Sequence, residues 1–458
     1  MGRLFGTDGV RGIVNEQLTP LMALRLGMAV ATFFGDGCRI LVGRDVRCGG
    51  DMIAKAVMAG VMAAGGKPYY AGYAPTPAIQ YGVKTLGYDA GIIVTASHNP
   101  PPYNGIKVIG PLGVEIRRRD ERAIEEIYFS ERYRVASWKA LAEDAGREDR
   151  VINNYVDAVV SMVDVDAIRR RGFRVVADCA NSVGALTTPR ILRRLGAKCL
   201  CVNCNLDPYF PARQPEPTPE TLATTSCIVR SVGADLGVGH DGDADRAILV
   251  DEKGEVWWGD RTGSLLAAYV AGEYPGAPRR VYTAVSSSIL VEEYLSKHGL
   301  TVEWTPVGAI NISYKLVEEG GVAGFEENGG YIHPPHQLVR DGGMTLALFL
   351  EMMAREGAKA SELFARLPRY YAVKTKIEMP RSKAVEAVRI VAEKYAGYRQ
   401  VRIDGVKVFG EGWWFLVRPS GTEPVLRIMV EARSREEAVK LANSLIELVK
   451  AEVLGVKA

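Results

Sequence analysis

Glutamine is nearly missing from this chain: Gln17, Gln80, Gln214, Gln337 and Gln400 are the whole set in 458 residues. Scarce thermolabile amides fit a protein that works hot, a setting in which disulfides also occur inside cells. Long apolar runs are missing too. The stretch around residues 21–34 is interrupted by Arg25 and by glycine, too short and too broken to span a bilayer, so no membrane partner is expected. Residues 1–6 have no apolar core of a signal peptide, and Gly6 stands where a myristoylation motif places Ser or Thr; a cytoplasmic location is expected. Charge excess is small, +3 from 57 basic and 54 acidic side chains, which gives no general reason to bind nucleic acid. Cysteine is sparse and odd in number, seven, unlike a secreted disulfide framework. Cys199, Cys201 and Cys204 form a cluster, but the spacing is poor for zinc, and the first two would share one strand face as packing residues.

What is present is an internal repeat. At roughly 150 residues per domain the length predicts three domains, or four if one is small. Short apolar runs, each led by arginine, begin at Arg39, Arg174 and Arg280 and read as buried strands. Each is followed by a helical stretch and a second strand, at 67–71, 197–202 and 300–304. A third strand follows at 90–95, 234–238 and 321–325. Strands alternating with helices predict an α/β fold with βαβ units and largely parallel sheets. A polar cluster leaves the end of each third strand: TASHNP (95–100), HDGDADR (240–246) and EENGG (326–330). Open α/β sheets place ligand sites there. The tail reads differently, as strand 371–378, helix 382–395, strands 401–407, 414–417 and 425–432, and a helix 434–453 that opens on a Ser434/Glu437 capping box. The expected fold class is therefore α/β, three similar α/β domains plus a C-terminal α+β domain. The boundaries fall at 1–148, 149–250, 251–367 and 368–458.

Asp241, Asp243 and Asp245 alternate with small residues, so a tight loop can turn three carboxylates inward. Without Cys or His partners they suit a hard cation, magnesium or calcium. An EF-hand matches at its first, third, fifth and twelfth positions but fails at the sixth, where Arg246 replaces the glycine, and its flanks read as strands. Ser97 lies outside any G-x-S-x-G elbow, which argues against a hydrolase triad. Alone it fits an ordinary turn serine as well as a group that carries a phosphoryl. Lys107 can steady a moving charge or shuttle a proton. Arg418, Ser420, Gly421 and Thr422, with Arg427 beyond, read as a phosphate nest or a plain glycine turn.

Together the segments FGTDGVRG (5–12), TASHNPPPYNGIK (95–107), DGDADR (241–246), FEENGG (325–330) and RPSGTEP (418–424) resemble the α-D-phosphohexomutase family, in family order across nearly the whole chain. The resemblance implies four domains around a central cleft. It implies Ser97 as a phosphoserine, and one Mg²⁺ per chain held by Asp241, Asp243, Asp245 and the serine's own phosphate. Lys107 becomes a candidate general acid/base, with His98, Arg11 and Arg246 near the transferring phosphate. Glu326 and Asn328 would bind sugar hydroxyls, and Arg418, Ser420, Gly421, Thr422 and Arg427 the substrate's other phosphate. The implied reaction exchanges hexose 1- and 6-phosphates through a hexose 1,6-bisphosphate, which also serves as activator. A phosphosugar is the expected partner, and a monomer or homodimer the expected assembly. Three departures bear on the substrate. The sugar loop lacks the common Ser-Gly-His, Ala309 replaces a histidine of some bacterial mannose/glucose enzymes, and GTDGVRG looks like phosphoglucosamine mutases. Glucose and mannose phosphates are the favoured substrates, with glucosamine phosphate as the alternative.

Overall fold

The computed structural model describes residues 4–6, 9–421 and 423–455. The described residues form four sheets, and the chain divides into two compact units. The first runs up to Thr262 and includes Asn328–Leu363. The second comprises Gly263–Glu327 and the chain from Phe364 onward.

The repeat is visible in the strand order. In the first copy Arg39–Arg44 lies between Lys67–Tyr73 and Ala90–Val94, parallel to both. In the second, Arg174–Asp178 lies between Lys198–Val202 and Leu236–His240. In the third, Arg280–Ala284 lies between Thr301–Thr305 and Ala323–Phe325. The first strand of each copy is thus central because both crossovers return to it. Runs such as Ala90–Val94 and Ala247–Asp251 are buried throughout, and each large aliphatic side chain there contributes about 1.5–3 kcal/mol. The sheets are less parallel than expected. Tyr103–Ile109 returns antiparallel to Ala90–Val94 and pairs with Val10–Ile13. Ala247–Asp251 returns antiparallel to Leu236–His240. Each return follows a polar loop, so the loop is pinned by buried strands on both sides.

Helices Pro20–Phe34 and Gly50–Ala63 cross on glycine. A Cβ on Gly27 would stand 2.2 Å from the Val57 carbonyl oxygen, and one on Gly60 2.0 Å from that of Leu24. The C-terminal sheet is antiparallel, in the order Tyr371–Glu378, Val425–Ala432, Trp413–Pro419, Val406–Phe409, Arg399–Val401. The strand expected at 401–407 is split, because Gly405 turns with φ +81 and the chain reverses there. The helix Arg435–Val449 has its Ser434/Glu437 capping box. Among the described residues no helix is long and apolar enough to cross a membrane.

Candidate functional site

In the first unit, the loops after Ala90–Val94 and Leu236–His240 meet. Ser97 is fully buried, and its Oγ donates to Asp241 Oδ2 at 2.8 Å. Its φ of +49 is a left-handed conformation costly for serine, the kind of strain held at functional sites by surrounding structure. That structure is identifiable. Ser97 N donates to Thr95 Oγ1 at 2.9 Å, and Thr95 Oγ1 donates to Asp45 Oδ2 at 2.6 Å. Asp45 also accepts from Arg47 Nε at 3.1 Å. Arg47 donates to the carbonyls of Ser97 (2.7 Å), Asn99 (2.6 Å), Pro100 (2.9 Å) and Tyr103 (3.0 Å). One buried guanidinium thereby fixes the serine loop. Burial, set against Arg47 and the Thr95 hydroxyl, pushes the Asp45 carboxyl up to about 6.

Asp241, Asp243 and Asp245 are buried, and each offers one oxygen within 4.8 Å of the others. Burial first, then Asp245 and Asp243, push the Asp241 carboxyl well up. Burial also raises Asp245. Asp243 is lowered, because Lys107 and the Thr76 hydroxyl outweigh its burial. Thr76 donates to Asp243 Oδ2 at 2.7 Å. Lys107 Nζ lies 3.7 Å from Asp243, 3.8 Å from Asp245 and 3.8 Å from Glu115. Arg340 donates to Asp245 Oδ2 at 2.6 Å. Arg246 pairs with Glu216, and its Nη2 is 3.0 Å from His98 Nδ1. Arg11 donates to Asn99 Oδ1 and, at 3.4 Å, to the Ala96 carbonyl.

The residues present fit a divalent cation. Asp243 Oδ1 and Asp245 Oδ1 are buried with no hydrogen-bond donor aimed at them among the described residues. Lys107, Arg246 and Arg340 lie beside these carboxylates but leave those two oxygens without a hydrogen bond. An all-oxygen set suits a hard cation.

The acidic loop has its own scaffold. Asp178, at the end of the central strand, accepts from Arg213 Nε at 2.9 Å and Thr225 Oγ1 at 2.6 Å, while Arg213 Nη2 donates to the His240 carbonyl at 2.6 Å. His240, whose charged form burial disfavours, bridges Thr188 (2.9 Å) and the Arg246 carbonyl (2.8 Å). A neutral ring meets both, as donor to the carbonyl and acceptor from the hydroxyl. Gly242 permits the two loops to touch, since a Cβ there would lie 2.4 Å from the Ser97 carbonyl oxygen. Asn328 also belongs to this unit; its Oδ1 accepts from Gly330 N at 3.2 Å, and the Gly329 carbonyl accepts from Ala247 N at 2.9 Å.

The second unit holds the remaining predicted residues. Glu326 is buried, and its Oε1 accepts from Gly308 N at 3.1 Å. Arg418 and Arg427 stand directly opposite on neighbouring strands, and Lys376 opposes Arg427 on the next. Facing like charges are unfavourable without an anion or acidic partners. Asp404 pairs with Arg418 at 3.0 Å and Glu423 with Arg427 at 2.7 Å, but the buried Arg418 Nε has no hydrogen-bond partner among the described residues. Ser420 is buried at the turn, beside Gly421. Thr422 lies outside the described residues.

Asp45, Arg47, Thr76, Glu216, Arg340, Asp404 and Lys376 were missed from sequence. Asp45 and Arg47 had a signal, GRDVR (43–47), polar residues leaving the central strand of the first copy.

Fold and site together define a class. Four models of the phosphoglucomutase/phosphomannomutase family match in succession: α/β/α domain I over residues 2–135, domain II over 153–254, domain III over 258–371 and the C-terminal domain over 375–448. The chain belongs to this metal-dependent family of phosphohexomutases, and is a mutase. Among its relatives is the phosphoglucosamine/phosphogalactosamine mutase of Sulfurisphaera tokodaii, 52% identical over 98% of this chain and 100% of that protein. Another is a phosphoglucomutase/phosphomannomutase of Thermococcus kodakarensis, 42% identical over 99% of this chain and 100% of that protein. A phosphoglucomutase/phosphomannomutase family protein from Burkholderia thailandensis, known from its crystal structure, superposes with a TM-score of 0.87 at 26% identity, covering 98% of this chain and 97% of that one.

Proposed function

We propose that this mutase exchanges the phosphoryl group between the 1- and 6-positions of a hexosamine phosphate, with Ser97 as its phosphorylated carrier. The observation that carries the reading is the Ser97 hydroxyl seated 2.8 Å from a buried triad of carboxylates. Asp241, Asp243 and Asp245 would hold Mg²⁺, which supplies positive charge to the oxygens of the transferring phosphoryl group. A free sugar hydroxyl attacks phosphorus, the bond to Ser97 Oγ breaks, and the sugar becomes a 1,6-bisphosphate. The bisphosphate turns over and returns its other phosphate to Ser97. Lys107, held among Asp243, Asp245 and Glu115, would be the acid/base that passes the proton. His98, Arg246 and Arg11, arrayed around the serine loop, orient and neutralise phosphate oxygens. In the second unit Glu326, and in the first Asn328, would take sugar hydroxyls. Arg418, Arg427, Ser420, Gly421 and Thr422 would hold the phosphate that is not moving; the buried unpaired nitrogen of Arg418 is a donor in want of such an anion.

The motifs alone favour glucose and mannose phosphates. The 52% relative moves the amino sugar ahead, and the 42% relative supports glucose or mannose as the second reading. Supplying glucosamine, galactosamine, glucose and mannose 6-phosphates separately, with Mg²⁺ and a trace of the matching bisphosphate, tests both. Formation of the 1-phosphates without free phosphate is expected, fastest with an amino sugar. No isomerisation of any substrate, or phosphate release in step with consumption, would overturn the reading.

A further inference from the structure

The second copy of the repeat holds five cysteines that the mutase chemistry does not use. Cys179 follows the central strand Arg174–Asp178, and Cys204 follows its parallel neighbour Lys198–Val202. The pairing continues past the strand ends, because Cys179 N donates to the Val202 carbonyl at 3.1 Å. Neighbouring strands run about 4.8 Å apart, and a disulfide spans about 4.4–6.8 Å between Cα atoms, so adjacent strands at this point meet its requirement. The two Sγ atoms approach to 2.7 Å. Around them Ala180, Asn181 and Asn203 all take left-handed backbone, so both chains turn sharply and aim these side chains at each other. Cys179 is wholly buried, Cys204 half-buried, and Cys201 exposed at the strand surface.

We propose that Cys179 and Cys204 form a disulfide in the working enzyme, with exposed Cys201 as the thiol through which it is made. The co-reactant is a small-molecule or protein disulfide. The Cys201 thiolate attacks one of its sulfurs and expels a thiol. The Cys204 thiolate attacks Cys201 Sγ in that mixed disulfide and expels the second thiol. Cys179 then attacks Cys204 Sγ, and Cys201 leaves as a thiol again. Two cysteines are oxidised, one external disulfide is reduced to two thiols, and Cys201 is unchanged. Contact with Cys179 holds the Cys204 thiol below its ordinary range, against burial, whereas burial holds the Cys201 thiol above its own, so the relay starts from the small thiolate fraction of an exposed sulfur. The bond closes the turn after Asp178, whose Ser182 Oγ donates to the Gly242 carbonyl, so it would staple the seat of the acidic loop.

The test uses the full-length enzyme equilibrated with a mixture of oxidised and reduced glutathione, then denatured, alkylated and mapped by mass spectrometry. Five of the seven cysteines should alkylate, with Cys179 and Cys204 in one cross-linked peptide. Reduction should lower Tm by on the order of 5–10 °C. Cys201→Ser should keep the cross-link and the Tm but form the bond roughly tenfold more slowly. Alkylation of all seven cysteines, a cross-link between another pair, or stoichiometric zinc released by chelator from an uncross-linked protein would each overturn the proposal. The wild-type mapping stands whether or not any cysteine variant folds.

Discussion

The serine loop and the acidic loop stand on the same device, built once in each of the first two repeats. In both, an aspartate at the end of the central strand accepts a threonine hydroxyl at 2.6 Å and an arginine Nε at about 3 Å, and that arginine's Nη2 reaches a carbonyl of the functional loop. Asp45, Thr95 and Arg47 serve Ser97; Asp178, Thr225 and Arg213 serve the residue before Asp241. The third repeat has alanine at the equivalent strand end, and there Thr283 bonds the Phe325 carbonyl directly at 2.8 Å. The two copies differ in charge balance. Burial raises Asp45 to about 6, with Asp243 adding to the push, whereas Arg213 and its hydrogen bonds outweigh burial and hold Asp178 below its ordinary value. Of the two supporting aspartates, Asp45 is therefore the one whose ionised form is held at a cost and Asp178 the one whose ionised form is stabilised.

The comparison can be broken at several points. The largest effect is expected where the loops touch: Gly242→Ala places a Cβ 2.4 Å from a backbone oxygen that cannot move aside, and kcat should fall roughly 10²–10³-fold with the fold intact by circular dichroism. Exchanging each arginine for lysine should separate the two supports. Arg47→Lys leaves the serine-loop carbonyls short of donors and should lower kcat about 10–100-fold without moving Mg²⁺ half-saturation. Arg213→Lys should instead raise the half-saturating Mg²⁺ on the order of tenfold. Stability should respond to pH with opposite sign. At pH 7 Asp178→Asn should cost on the order of 3 kcal/mol by denaturant melt, since it breaks a buried pair. That stability is present above about pH 4 and is lost as pH falls below it. The stability tied to protonated Asp45 is full below about pH 4 and lost as pH rises through about 6. Asp45→Asn also breaks a buried pair, with Arg47, but the carboxylate it removes is itself held at a cost, so its loss of stability at pH 7 should be smaller than that of Asp178→Asn and should shrink further toward pH 4. The smallest effect, about 1 kcal/mol, is expected for Thr225→Val, which removes one hydrogen bond to Asp178.

Much of this architecture was legible in the sequence because it is repetitive. Arginine-led apolar runs gave central strands at 174–178 and 280–284 with no shift, and the polar clusters leave the third strands as expected. The antiparallel returns were not legible, since an apolar run such as Ala247–Asp251 carries no sign of its direction. Ser97, His98, Arg11, Lys107 and the three aspartates are gathered as the motifs suggested. Their supports were missed because a lone Asp45 or Asp178 at a strand end looks like any turn residue. Only the third dimension brings Arg213 to Asp178 across 35 positions.

Ser97 as the phosphoryl carrier is tested most directly by the enzyme's own covalent state. The full-length protein and Ser97→Ala, incubated with Mg²⁺ and glucosamine 1,6-bisphosphate, would be digested and mapped for phosphate. One phosphoryl group on Ser97, absent from the variant and discharged by excess glucosamine 6-phosphate, is the predicted result. An active enzyme that stays unphosphorylated, or that carries phosphate elsewhere while Ser97→Ala keeps its activity, would contradict it.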